Sequence, residues 1–135
     1  MSKNYPPHRA TISIRASQPM DIVKEILERN FSNYTRQIKS ESSYRKIHEI
    51  IITILDTAEG LEPKKAIEFM REQLPRAYVI IEYQNVRGQI SNELRELLLS
   101  VINELTSAKE EEVKGLIRKA RLLLDSLAVI AKYVG

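Results

Sequence analysis

Apolar residues recur at every third or fourth position along most of this chain, the period of helices that bury one face. From Pro19 onward, Met20, Val23, Ile26, Leu27 and Phe31 form the first such stripe, with Asp21, Glu25 and Glu28 on the opposite face. Pro19 suits a first helical position after Ser17 or Gln18. The polar run Ser32-Asn33-Tyr34-Thr35 is expected to break or loosen this helix. A second helix is predicted from Ser42 or Ser43 to Glu59, its stripe formed by Ile47, Ile50, Ile51, Ile54, Leu55 and Ala58, with Gly60 as the residue that ends it. Its run of isoleucines has strand propensity, but its length and the glycine stop favour a helix.

Leu61-Glu62-Pro63 opens a third helix with Ala66, Ile67, Met70 and Leu74 on one face, and Pro75 is expected to stop it and open a fourth segment, Arg76 to Val86. Within that segment Ala77-Tyr78-Val79-Ile80-Ile81-Glu82-Tyr83 has high β propensity, while the spacing of Ala77, Ile80, Ile81 and Gln84 also fits a buried helix. Helix is the preferred reading, closed by Arg87-Gly88. A fifth helix spans Asn92 to Leu105. Ser107-x-x-Glu110 reads as a capping box for the last, whose apolar positions run from Val113 to Ile130. With short connections and no convincing strand pair, the expected fold class is all-α, a compact bundle of five or six helices over residues 19–135.

Residues 1–18 break the pattern. Pro6-Pro7, the cations Lys3, Arg9 and Arg15, and a brief alternation at Thr11-Ile12-Ser13-Ile14 suggest a flexible basic N-terminal arm. No apolar segment follows the basic start, so a secretory signal is not expected. The longest apolar runs, Ile50-Ile51-Ile52 and Leu97-Leu98-Leu99, are far too short to span a membrane. A cytoplasmic location with no membrane partner is the expectation.

Composition narrows the chemistry. Among 135 residues there is no Cys, which removes disulfides, thiolate nucleophiles and cysteine-held metals. Four Gly leave no Gly-rich phosphate loop. His8 lies in the arm, and His48 beside Glu49 lacks the second histidine of a metalloprotease helix, because position 52 is Ile52. Asp21, Asp56 and Asp125 are scattered over different helices. No catalytic residue, cofactor site or metal site is expected, and the chain does not read as an enzyme.

Charge is more informative. The net charge of +3 conceals a polarised molecule. Residues 1–48 hold nine Lys/Arg against four acids, a net +5, while residues 49–135 hold twelve against fourteen, a net −2. Within the basic part, Tyr34-Thr35-Arg36-Gln37-Ile38-Lys39-Ser40-Glu41-Ser42-Ser43-Tyr44-Arg45-Lys46 interleaves cations, hydroxyls and aromatics. Cations neutralise phosphates, hydroxyls donate to phosphate oxygens, and tyrosines stack on unpaired bases. A solvated loop and helix start would give the same pattern. Arg76, Arg87 and Arg95 form a second cluster that serves either nucleic acid or ion pairs with Glu82, Glu93 or Glu96.

The Ser42-Ser43-Tyr44-Arg45 helix start, the apolar helix after it, and the segment from Ala77-Tyr78 to Arg87 make a layout with a recognisable counterpart. With the long final helix ending in Ala131-Lys132-Tyr133-Val134-Gly135, residues 40 to 135 resemble the small α-helical subunit of type III (Csm-type) CRISPR–Cas effector complexes. The resemblance implies a non-catalytic role in antiviral defence, in which copies stack head to tail beside other effector subunits and line the channel where guide RNA pairs with target RNA. It implies contacts to the sugar–phosphate backbone, since base pairing supplies specificity. Arg45 and Arg87 match the channel-facing cations. Arg36, Lys39, Lys46, Arg76 and Arg95 join them as candidate RNA-binding residues on the charge pattern alone. The alternative is a helical protein–protein adaptor or assembly subunit without nucleic-acid contact. A helix-turn-helix regulator fits less well, because Pro63 and Pro75 leave a short helix with a mixed-charge face.

Overall fold

The structure, a computed structural model, describes residues 12–135. These residues form six α-helices and no strand: α1 (Pro19–Lys24), α2 (Phe31–Thr35), α3 (Glu41–Glu59), α4 (Pro63–Val86), α5 (Asn92–Thr106) and α6 (Val113–Val134). The chain is therefore an all-α bundle, as its periodicity predicts. Helix α3 lies between α4 and α6, α4 also packs on α5, and the short N-terminal helices lie against α6. Ile47, Ile51 and Leu55 of α3 meet Leu74 and Ile81 of α4, Leu97 and Leu98 of α5, and Leu123, Leu124 and Leu127 of α6 in one continuous core. Each such fully buried side chain contributes about 1.5–3 kcal/mol of hydrophobic stabilisation.

Local chemistry explains most of the ends. The Ser40 hydroxyl caps α3 by accepting from the Ser43 amide at 3.2 Å, and the Ser91 hydroxyl caps α5 by accepting from the Leu94 amide at 3.0 Å. Helix α3 thus starts at Glu41 rather than at Ser42 or Ser43. At its other end Gly60 keeps a right-handed conformation, φ −84°. The terminating group is Lys114 of α6, whose ammonium donates to the Glu59 carbonyl at 2.6 Å and also to that of Leu61.

Four expectations are corrected. Pro75 does not stop a helix: α4 runs through it from Pro63 to Val86. Leu74 and Ala77 on either side are fully buried while Pro75 faces solvent, so packing outweighs the roughly 3 kcal/mol that a mid-helix proline costs. The ambiguous stretch Ala77–Tyr83 is helical within the same element, the preferred reading of its spacing. The break near residue 32 comes earlier, at Asn30, after a single π turn over Glu25–Arg29. The Asn30 amide donates there to the Glu25 carbonyl at 2.9 Å and to its carboxylate at 2.8 Å, and Ser32–Thr35 continue as helix.

The box expected from Ser107 and Glu110 does not form. Ser107 ends α5, its hydroxyl donating to the Glu104 carbonyl, and Glu112 instead folds back to accept from the Lys109 amide at 3.0 Å. Finally, the arm assigned to residues 1–18 is packed from residue 12. Ile12 and Ile14 are buried. The Glu104 carboxylate accepts from the Ile14 amide at 3.1 Å, the Arg15 amide at 2.8 Å and the Ser13 hydroxyl at 3.1 Å. Arg15 also reaches Glu112 at 3.1 Å. Ile12 and Ile14 carry this strap onto the bundle, both side chains inward. Residues 1–11 of the proposed arm, including Lys3 and Arg9, lie outside the described residues.

Candidate nucleic-acid interface

Two connections meet at one end of the bundle. The Lys39 amide donates to the Gln89 carbonyl at 2.9 Å and the Ser91 amide to the Gln37 carbonyl at 3.0 Å, which makes an isolated antiparallel bridge between Ile38 and Ile90. Both isoleucines are buried, so apolar side chains anchor the loops from beneath. Gly88 makes the geometry possible: with φ +77° it turns the chain out of α4 in a conformation that side-chain-bearing residues rarely adopt.

The bridge brings Arg36 and Lys39, from the connection between α2 and α3, to the same end as Arg87, at the close of α4. All three are exposed. The first turns of α3 and α5 start beside the bridge, so their positive dipole ends add to the same field. Arg36 and Lys39 make no ion pair among the described residues. Arg87 lies over the Tyr83 ring, its guanidinium carbon 5.6 Å from the centroid, and donates to the Gln84 side chain at 3.2 Å.

The remaining candidates divide. Arg45 is exposed one turn into α3 and pairs with Glu41 at 3.1 Å, a carboxylate that also lies 3.9 Å from Lys132. Lys46, next to it, is exposed and makes no ion pair among the described residues. Arg76 is exposed on α4, about 16 Å along the axis from Arg87 at 1.5 Å per residue. It lines a shallow groove between α3 and α4 with Glu49, Ile50, Ile54 and Phe69. Arg95 is different. It makes a two-pronged pair with Glu82 across α4 and α5, both contacts 2.8 Å. The pair holds the Glu82 carboxyl below its ordinary value and raises the Arg95 guanidinium, chiefly through these hydrogen bonds. This is the ion-pair alternative, and it takes Arg95 out of the free cations.

The aromatic part of the sequence pattern is also redistributed. Tyr34 and Tyr44, the residues whose position among the cations suggested base stacking, are both 1% exposed. Burial first, then Glu25 and Glu93, pushes the Tyr34 phenol up to about 12. The Tyr44 phenol is raised well above its usual value by burial, and its hydroxyl donates to the Leu124 carbonyl at 2.8 Å. An exposed aromatic residue at this end is Tyr83, at 55% exposure, which sequence reasoning passed over. Its signal was the four-residue spacing to Arg87 on one helix.

His48 pairs with Asp125 of α6 at 2.9 Å. Among the described residues no group of three or more His, Cys, Asp or Glu could hold a metal ion. No helix there is long and apolar enough to cross a membrane. No protein-family model, curated protein or solved structure matches this chain.

Proposed function

We propose that this protein is a non-catalytic, cytoplasmic RNA-binding subunit of a CRISPR RNA-guided effector complex. In this reading it grips the backbone of guide or target RNA without sequence preference. It packs there against other effector subunits and against further copies of itself stacked head to tail. One observation carries the reading. The Ile38–Ile90 bridge gathers Arg36, Lys39 and Arg87, from the two basic clusters that the sequence sets apart, at one end of the bundle. Exposed cations beside two helix N-termini suit phosphate, and their side chains are free to exchange counterions for it. Arg45, Lys46 and Arg76 extend the cationic surface along α3 and α4. The resemblance of residues 40 to 135 to the small Csm-type subunit supplies the biological setting.

The test is direct binding of single-stranded RNAs of unrelated sequence to the protein and to Arg36→Glu, Lys39→Glu and Arg87→Glu combined. The reading expects similar affinity for every sequence in the parent and a loss of at least tenfold for all of them in the variant. Equal affinity of parent and variant refutes it, as does preference for one sequence. An Arg95→Gln variant is expected to retain RNA affinity, because Arg95 is committed to Glu82.

A further inference from the structure

The outer face of α4 offers more than charge. Arg76, Val79, Tyr83 and Arg87 recur at three- and four-residue intervals on one side of the helix, and Val86 follows Tyr83 by three on the same side. Val79 is 68% exposed and Val86 83%, flanking Tyr83 above and below. The single carboxylate that α4 carries between Arg76 and Arg87 is Glu82, and Arg95 engages both its oxygens. Across the groove, Glu49 of α3 lines the same hollow as Arg76. The strip is therefore apolar in the middle and cationic at both ends, with its own acid neutralised.

Building on the backbone-binding reading above, we propose that Tyr83 is a stacking platform for an unpaired nucleobase, with Arg87 gripping the adjoining phosphate. Accordingly, the RNA bound at this end is single-stranded rather than duplex. The Arg87 guanidinium already lies over the ring, 5.6 Å from its centroid, and the phenol stays half exposed. An aromatic ring beside an arginine accepts any base, because every base has a π face, which keeps recognition independent of sequence. A paired base is stacked within its helix and cannot reach the ring, so the platform selects for single strands. Val79 and Val86 border the ring with apolar surface that a base edge covers. The charge distribution favours a polyanion over an apolar protein segment as the occupant.

Fluorescence anisotropy with the full-length protein separates the possibilities. The probes are a single-stranded oligouridine, an abasic strand of equal length, and the corresponding duplex. The parent is expected to bind oligouridine about tenfold more tightly than either the abasic strand or the duplex. Tyr83→Ala lowers affinity for oligouridine about tenfold and leaves the abasic strand unchanged, while Tyr83→Phe retains parental behaviour. Equal binding of oligouridine and the abasic strand by the parent overturns the platform while leaving backbone binding intact, and needs no variant. An unchanged oligouridine affinity in Tyr83→Ala also overturns it, and is the result if the strip is a protein contact. Failure of the parent to bind either strand overturns the backbone reading itself.

Discussion

The Lys39 amide donates to the Gln89 carbonyl at 2.9 Å, and with the Ser91 amide donating to the Gln37 carbonyl at 3.0 Å it fastens the loop before α3 to the loop after α4. It matters because each loop on its own carries only part of the positive charge. Joined, they place Lys39 opposite the turn that ends in Arg87 and Gly88. The union depends on Gly88, whose φ of +77° aims the chain back toward residue 38.

Gly88→Ala tests that dependence. No atom lies within 4 Å of where a Cβ would stand, so the cost is backbone strain alone, about 1–2 kcal/mol. Urea denaturation is expected to show this loss. RNA affinity is expected to fall with it, as relaxation of the turn moves Arg87 away from Lys39.

Glu104 organises the N-terminal strap through three hydrogen bonds to Ser13, Ile14 and Arg15. Glu104→Gln sets an amide donor against backbone N–H groups and is expected to destabilise the fold by about 1–3 kcal/mol. Hydrogen exchange at Ile14 and Arg15 should accelerate strongly while the amides in the middle of α6 stay protected. Unchanged exchange at both residues would show that Ile12 and Ile14 hold the strap by packing alone.

The Glu82–Arg95 pair makes a pH prediction. Its hydrogen bonds hold the folded-state Glu82 carboxyl below its ordinary value of 4.5. The folded state therefore binds fewer protons than the unfolded state near that value. The stability that this pair provides is fully present above it and is lost as pH falls through the lower folded-state value. Denaturation at a series of acidic pH values should show a shallower acid limb for Glu82→Gln than for the parent. Superimposable limbs would mean that other carboxylates, such as Glu112 held down by Arg15, govern acid sensitivity.

Pro75 sits in the interior of α4 and faces solvent. Pro75→Ala restores a helical hydrogen bond to the carbonyl of Arg71 and relieves the ring's clash with it. The gain is offset by the greater freedom of the unfolded chain. A net stabilisation of about 1–2 kcal/mol is expected by thermal or urea unfolding. A destabilisation would reveal that α4 needs the bend that a proline imposes in order to follow α3 and α5.

What the sequence discloses, and what it conceals, follows from the range of each interaction. The stripes from Ile47 to Ala58 and from Leu94 to Leu105 are local, and both helices form where the period places them. Pro75 misleads because a local penalty is overridden by the burial of Leu74 and Ala77 against helices that periodicity does not identify. Ile14 looks like part of a tail because its partner, Glu104, lies 90 residues away. For the candidate site, Arg36, Lys39 and Arg87 stand out by charge, but only the Ile38–Ile90 bridge unites them. Arg95 carries the same charge, yet its partner Glu82 is visible only in three dimensions. Tyr34 and Tyr44 sit among cations in sequence and in the core in space, because the helical period of about 3.6 residues decides which side chains face inward. Tyr83 is half exposed for the same reason.

The most direct test of the central claim is the salt dependence of single-stranded RNA binding. Each phosphate neutralised adds about 0.7 to the negative slope of log K against log salt. The account predicts a slope near −2 or steeper for the parent, from Arg36, Lys39 and Arg87 together. The Arg36→Glu, Lys39→Glu, Arg87→Glu variant should be much shallower across the same range. An affinity that does not respond to salt, or the same slope in parent and variant, would contradict it.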